Sequence, residues 1–304
     1  MKAPGWGLVL LATIVTAFVT PVWGQANSGT RSAASIPNFS GNWSHLFFPD
    51  VDLPLSGPGP VTNKARLPSG VSNPGRLVGD HTNPILKPEA AEVVRKHGEI
   101  SLSGATYPTP SNQCWPGGVP YIFWDLGMQV LQEQDKITIL YAFNNEVRHI
   151  RLNQTHPTQV KPSWYGDSVG HYEGETLVID TVGVKIGPFA MADMYGTPHT
   201  QALHVVERYR LISHEAAKEA QERAAKYNFR VPEPSDFGWS TDPDYESHGL
   251  ELAFTVEDEG ALTMPWSATV TYRRPLGEWP EFLCAEGRDY FVDSAIPSSK
   301  KPDF

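Results

Sequence analysis

Residues 164–183 read WYGDSVGHYEGETLVIDTVG. Two short runs of strand-forming residues flank Glu173-Gly174, a turn pair, so the stretch reads as a β-hairpin punctuated by Gly166, Gly170, Gly174 and Gly183. Asp167, His171, Glu173 and Asp180 sit in it beside Trp164, Tyr165 and Tyr172. A hairpin that only fills a core has no need of so many ionisable groups. The candidate site is therefore placed here, with the hairpin at the mouth of whatever sheet contains it.

The same texture extends in both directions from residue 121 onward. QVLQEQ (129–134), KITILYAF (136–143), EVRHIRLN (146–153), LHVVERYRLI (203–212), LELAFTVE (250–257), the long run 261–274 and DYFVDS (289–294) are rich in β-branched and aromatic residues. Turn signals such as Asn144-Asn145 and Glu259-Gly260 separate them. Strands joined by short turns predict antiparallel up-and-down order, and this many strands predict closure. Upstream, residues 50–85 carry much Pro, Gly and Asn without periodicity and read as a surface-wrapping loop. Pro88 to Glu99 reads as a short helix, with Pro in the first turn and Arg95, Lys96 and His97 late. A second helix, capped by Ser213, opens an insertion spanning 214–247.

Residues 1–24 carry one early lysine, an apolar run from Leu8 to Val19, then Val22 and Gly24 at cleavage-site spacing before Gln25. That predicts a secretory signal peptide rather than a membrane anchor, and hence a periplasmic or secreted protein. A flexible lead-in (25–36), a single barrel domain (37–296) and a tail (297–304) complete the expected organisation. With a net charge of −10, the chain is a poor partner for nucleic acid or anionic lipid, and no basic block changes that. Neither nucleic-acid binding nor membrane insertion is expected, and a small-molecule ligand or substrate is. The two cysteines, Cys114 and Cys284, are read as one disulfide of an exported chain.

Gly41-Asn42-Trp43 has the G-x-W form that opens lipocalin-type barrels, in which a late basic residue covers the indole; Arg273 or Arg274 would take that place. The expected fold is thus an all-β, antiparallel, calycin- or lipocalin-like barrel with long N-terminal loops and one helical insertion. Over residues 37–290 the chain also resembles a family of secreted bacterial β-rich proteins to which no reaction is assigned. The matching segments are PNFSGNW, Cys114-Trp-Pro-Gly-Gly, EVRHIRLNQTHP, PSWYGDSVGHYEGETLVIDTVG, PHTQALHVVERYR and Met264-Pro265-Trp266. The insertion at 214–247 and Tyr172, where that family usually carries Trp, depart from it. The resemblance implies a secreted β-rich domain in which the hairpin matters, and implies no chemistry.

Alternation in EVRHIRLN puts Arg148 on one face with Ile150 and Leu152. If that face is inward, Arg148 needs a buried anion: Asp167, Asp180, Glu207 or a ligand carboxylate. Asp180 (with Val178 and Val182) and Glu207 (with Val205 and Tyr209) are acids on apolar strand faces, either paired or raised in pKa and chemically useful. His156, Asp167 and His171 near one rim are suited to acid–base work, with Asp167 orienting an imidazole and Trp164, Tyr165, Tyr172 and His199 contacting the ligand. The expected function is a metal-independent lyase, isomerase or hydrolase acting on a small aromatic or sugar-like molecule. The alternative is a lipocalin-like binding protein without chemistry. A Ser168–His171–Asp167 triad is not expected, because residues so close along one hairpin seldom converge. Ten histidines raise the question of zinc, but no pair has a helix-borne or zinc-ribbon spacing, so no cofactor is expected and zinc is unsupported. His45, His81, His97, His214 and His248 are read as solvated.

Overall fold

The computed structural model describes Met1 and residues 36–125, 127–231, 240–241, 247–276, 279 and 283–284. The signal segment, most of 232–246 and the strand expected at DYFVDS therefore lie outside the described residues. The chain divides into two units, Met1–Ala34 and Ser35–Phe304, and the second holds every described strand and helix.

Nine strands form one sheet: β1 (Gly41–Ser44), β2 (Gly127–Gln132), β3 (Lys136–Tyr141), β4 (Glu146–Leu152), β5 (Asp167–Glu173), β6 (Thr176–Val182), β7 (His204–Ile212), β8 (Gly249–Glu257) and β9 (Trp266–Tyr272). Each strand pairs with its neighbour in this order, so the sheet follows the chain. It curls until its two ends meet. Ser44 at the end of β1 and Arg273 just past β9 exchange two backbone hydrogen bonds of 2.8 Å. The exposed side of β9 is further occupied by the loop after β1, where Asp52 pairs with Thr269 and the Pro58 carbonyl accepts from Ser267 N–H.

The expectation of a purely antiparallel barrel needs one correction. β4 and β5 run parallel, with Arg151 opposite Val169 and Leu152 opposite Gly170. Fourteen residues, 153–166, separate these strands. A parallel pair requires a crossover of about that length, whereas a tight hairpin would have reversed the chain. This crossover carries His156 and Trp164 outside the sheet.

Burial follows the pleat. In β4 the residues Glu146, Arg148, Ile150 and Leu152 are buried, while Val147 and His149 are exposed. In β8 Leu250, Leu252, Phe254 and Val256 point inward. Phe254 gathers an aromatic cluster with Phe123 (ring centroids 4.8 Å), Trp124 (6.4 Å) and Trp266 (5.7 Å). Edge-to-face packing of this kind adds to the area buried. Trp43 is buried in β1, and Arg274, of the two arginines considered, lies over its indole at 3.7 Å.

Helix α1 spans Pro88–Leu102, three residues beyond the expected end, so Arg95, Lys96 and His97 are internal to it and not at its C-terminus. Helix α2 (His214–Tyr227) begins at Ser213, whose hydroxyl accepts from Ala216 N–H. It lays Ala217, Ala220 and Ala224 against the barrel. No helix among the described residues is long and apolar enough to cross a membrane.

Two histidines read as solvated are buried. His45 donates from Nε2 to the Asp125 carbonyl (2.7 Å), and burial lowers its pKa to about 4 against smaller backbone contributions. His97 packs its ring 3.9 Å from Tyr107, and burial likewise lowers its pKa to about 4. Their loops and helix are covered by chain from distant positions, which local composition does not record.

Candidate functional site

The sequence-predicted residues are distributed over three places. The first is the barrel interior. Arg148 faces inward, is 1 % exposed, and forks onto Glu207 of β7: Nη1 to Oε2 at 2.9 Å and Nη2 to Oε1 at 2.6 Å. Its remaining donors reach Ser168 Oγ (3.0 and 3.2 Å) and Thr181 Oγ1 (2.7 Å), while the Tyr209 hydroxyl donates to Glu207 Oε2 at 3.1 Å. Burial opposes the guanidinium charge, but the Glu207 carboxylate outweighs it and holds the arginine further into its charged form. Two fully desolvated ions bound this way are a structural clasp. Arg148 and Glu207 are therefore spent on each other and not held ready for a substrate. Ser168 belongs to the same network. Gly166–Gly170 (GDSVG) does have the G-x-S-x-G spacing of a nucleophile elbow, yet Ser168 lies within β5, buried, rather than at a strand-to-helix turn.

The second place is the outer face of β5, β6, β7 and β8. Asp167 and Asp180, which the sequence offered as partners for Arg148, point outward instead. Asp167 takes a two-oxygen contact from Arg151 Nη2 (2.8 Å each) and meets His156 Nδ1 through Oδ2 at 2.6 Å. His156 Nε2 lies 3.1 Å from Asp180 Oδ1, and His204 Nε2 approaches the same oxygen at 3.1 Å. His204 Nδ1 then faces Glu257 at 3.5 Å. The expected orientation of an imidazole by Asp167 is thus present for His156. His171 stands apart: it is exposed, contacts Glu173 Oε1 at 3.2 Å, and shares that glutamate with Arg208. His171, His156 and Arg148 accordingly occupy three separate environments, the barrel wall dividing Arg148 from both histidines.

The third place is a shallow, solvent-open recess beyond the start of β5 and the end of β6. Trp164, from the crossover, and Trp115, from the loop after the disulfide, stand at 73° with ring centroids 5.3 Å apart. Phe189 meets Trp115 at 70° and 5.9 Å. Lys185 holds its ammonium 4.6 Å over the Trp164 ring, and Val184, Met191 and His199 are among the other lining residues. Burial lowers the His199 pKa, with the Thr200 carbonyl and the Asp258 carboxylate acting the other way.

Each wall is fixed by its own local structure. Gly166, at φ +70°, makes the turn after Trp164; a Cβ there would lie 2.6 Å from the Val182 carbonyl oxygen. A Cβ on Gly187 would sit 2.6 Å from the Trp164 indole, so the backbone at 187 packs directly on that ring. Trp115 follows Cys114, which is bonded to Cys284 as expected, with a Cα–Cα distance of 5.4 Å. The His199 loop is held by Asp193, accepting from Tyr195 N–H (2.8 Å) and Thr197 N–H (3.2 Å). It is also held by Asp258, which accepts from the Thr200 hydroxyl at 2.6 Å.

Of the four expected ligand contacts, Trp164 and His199 line this recess and Tyr165 and Tyr172 do not. Tyr172 accepts at its hydroxyl from Gln132 Nε2 (2.9 Å). Tyr165 bonds Glu146, an inward residue of β4 that also accepts from Gly117 N–H at 3.1 Å. Burial raises the Glu146 pKa to about 7, with Gly117 N–H and the Tyr165 hydroxyl acting the other way. Trp115, Phe189, Lys185, Glu146, Arg151 and His204 were not singled out as site residues from sequence. Trp115 and His204 lie inside the segments quoted for the resemblance, which was the available signal; Phe189 and Lys185 lie in an aperiodic loop that gave none. Among the described residues, no group of three or more His, Cys, Asp or Glu is arranged to hold a metal ion. No family model, curated protein or solved structure matches the chain.

Proposed function

We propose that the chain is an exported small-molecule-binding protein of β-barrel architecture, whose ligand seats in the recess between Trp115, Trp164 and Phe189. One observation carries this: three half-buried aromatic rings and one ammonium converge on an open recess, the apolar lining with few polar groups that small-molecule sites use. Two further features support it. The recess is assembled from segments far apart in sequence, around 110–119, 164 and 184–199. Trp115–Gly118, Trp164 and His199, which come from three of the segments behind the family resemblance, meet there. The disulfide suits an oxidising compartment, in line with the signal-like N-terminus.

The test is ligand-observed NMR with a mixed fragment set of arenes, sugars and amines, against the wild type and Gly187→Ala. The added methyl displaces the Trp164 indole, so true recess ligands lose their signal in the variant while thermal unfolding shows the fold intact. Absence of hits, or hits indifferent to the substitution, removes the recess as a binding site.

A second reading, metal-independent acid–base catalysis, is favoured by the 2.6 Å contact between Asp167 and His156 Nδ1. Incubating small-molecule extracts with wild type, His156→Gln and His171→Ala tests it. Turnover lost in His156→Gln and kept in His171→Ala supports catalysis at His156; equal turnover in all three excludes His156.

A further inference from the structure

We infer that the recess selects a flat aromatic monoanion, a single-ring arene carboxylate, over a sugar or a cation. This rests on the recess being the ligand site. The side chains that line it settle the class by what they can pair with. A sugar offers several hydroxyls that must each find a donor or acceptor once water is displaced. Among the described residues the recess lining contains no Asp, Glu, Asn, Gln, Ser, Thr or Arg; besides the indole N–H groups, its polar side chains are Lys185 and His199. A pyranose stacked on Trp164 would therefore find few direct hydrogen-bond partners and gain little over water.

A cationic ligand fares no better. The Trp164 face, which would attract it, already carries the Lys185 ammonium at 4.6 Å, and among the described residues no carboxylate lines the recess to offset a second positive charge. An anion reverses both arguments. Lys185 is exposed and forms no ion pair with a carboxylate among the described residues, so its charge is available at the mouth of an apolar recess. When it leaves the indole to meet a ligand carboxylate, the ring face it vacates accepts the ligand's own ring.

With Lys185 over Trp164 the free volume of the recess is about 20 Å³, so a planar ring enters only as Lys185 moves off the indole. Trp115 stands 73° from Trp164 and 70° from Phe189, so a ring lying against one wall presents its edge to the next. Met191 and Val184, both buried, supply an aliphatic floor without polar demands. An arene carboxylate thus gives its ring to the aromatic wall that Lys185 vacates and its charge to Lys185.

Calorimetric titrations of wild type and Lys185→Gln with four probes test this: 4-hydroxybenzoate, its neutral methyl ester, glucuronate and glucose. The expected result is binding of 4-hydroxybenzoate, weakened about threefold to fivefold in Lys185→Gln, the range of an exposed ion pair. The ester should bind both proteins alike and more weakly than the acid binds wild type; glucuronate and glucose should be silent. An ester as tight as the acid, an acid indifferent to Lys185→Gln, or a sugar bound at Trp164 overturns the ligand class. So does silence from all four probes while Gly187→Ala-sensitive fragments are still found. In each of those outcomes the recess survives as a site, whereas loss of the fragment hits removes the site itself.

Discussion

Glu146→Gln isolates the electrostatic cost hidden behind the recess. The carboxyl is 7 % exposed, accepts from Gly117 N–H, and bonds the Tyr165 hydroxyl. Burial raises its pKa from 4.5 to about 7, with those two hydrogen bonds opposing. The unfolded chain releases this proton near its ordinary value, so the folded state binds more protons between the two values. Stability from this group is complete below 4.5 and is lost as pH rises through 7. At about 1.36 kcal/mol per pKa unit, the loss by pH 8 comes to ~3 kcal/mol. Gln keeps the shape and the acceptor for Gly117 but never ionises. Urea unfolding of both proteins, disulfide intact, at pH 4 through 8 gives the difference as a function of pH. The variant should match or slightly trail wild type at pH 4 and gain ~3 kcal/mol on it by pH 8. Only the difference is diagnostic, because Asp52 and Asp193, raised by burial to about 6, and His45 and His97, lowered to about 4, titrate nearby with opposite signs. Parallel curves, with a constant offset across that range, would refute the placement of an ionisable carboxyl in a dry pocket.

For His97, whose nitrogens make no hydrogen bond of good geometry, the folded pKa is depressed, so stability is complete above 6.5 and falls as pH drops toward 4. His97→Leu should lack that acid loss of ~3 kcal/mol, read as a flatter unfolding profile from pH 7 to 4. Arg148→Met alone leaves Glu207 buried without its partner and should cost about 3–5 kcal/mol in urea unfolding; Arg148→Met with Glu207→Leu should recover most of it. A double variant no better than the single would mean the pair does more than neutralise itself. Cys284→Ser opens a closure spanning 170 residues. It should cost up to ~5 kcal/mol on chain-entropy grounds, seen as a lower denaturation midpoint that reductant does not lower further.

Much of the barrel was legible because strands announce themselves by alternation. EVRHIRLN showed that Arg148, if its face turned inward, would need an anion opposite it; the inward turn itself came from the structure. Which anion was not legible, since Asp167, Asp180 and Glu207 differ only in which face their strand turns inward. Register decides that, and register depends on a crossover whose direction the sequence does not encode. The parallel β4–β5 step was missed for the same reason. The site was half legible. Trp164 and His199 stood out by residue type, whereas Lys185 and Phe189 lie in a loop without periodicity and meet Trp115 only through tertiary packing. His45 and His97 failed in a related way: a histidine in a loop or helix reads as wet until another part of the chain covers it.

The clasp between Ser44 and Arg273 reaches beyond the shape of the molecule. A curled sheet of nine strands has two rims, and any rim left bare is a template on which another copy can add its own strand. Here the rim of β9 is occupied at Ser267, Thr269 and Arg273 by the protein's own early residues, with Arg274 pinned over Trp43 beside the last of these contacts. The stretch from Ser44 to Pro58 thus acts as a guard against self-association, and a chain in which it is peeled away would invite fibril growth along the rim of β9.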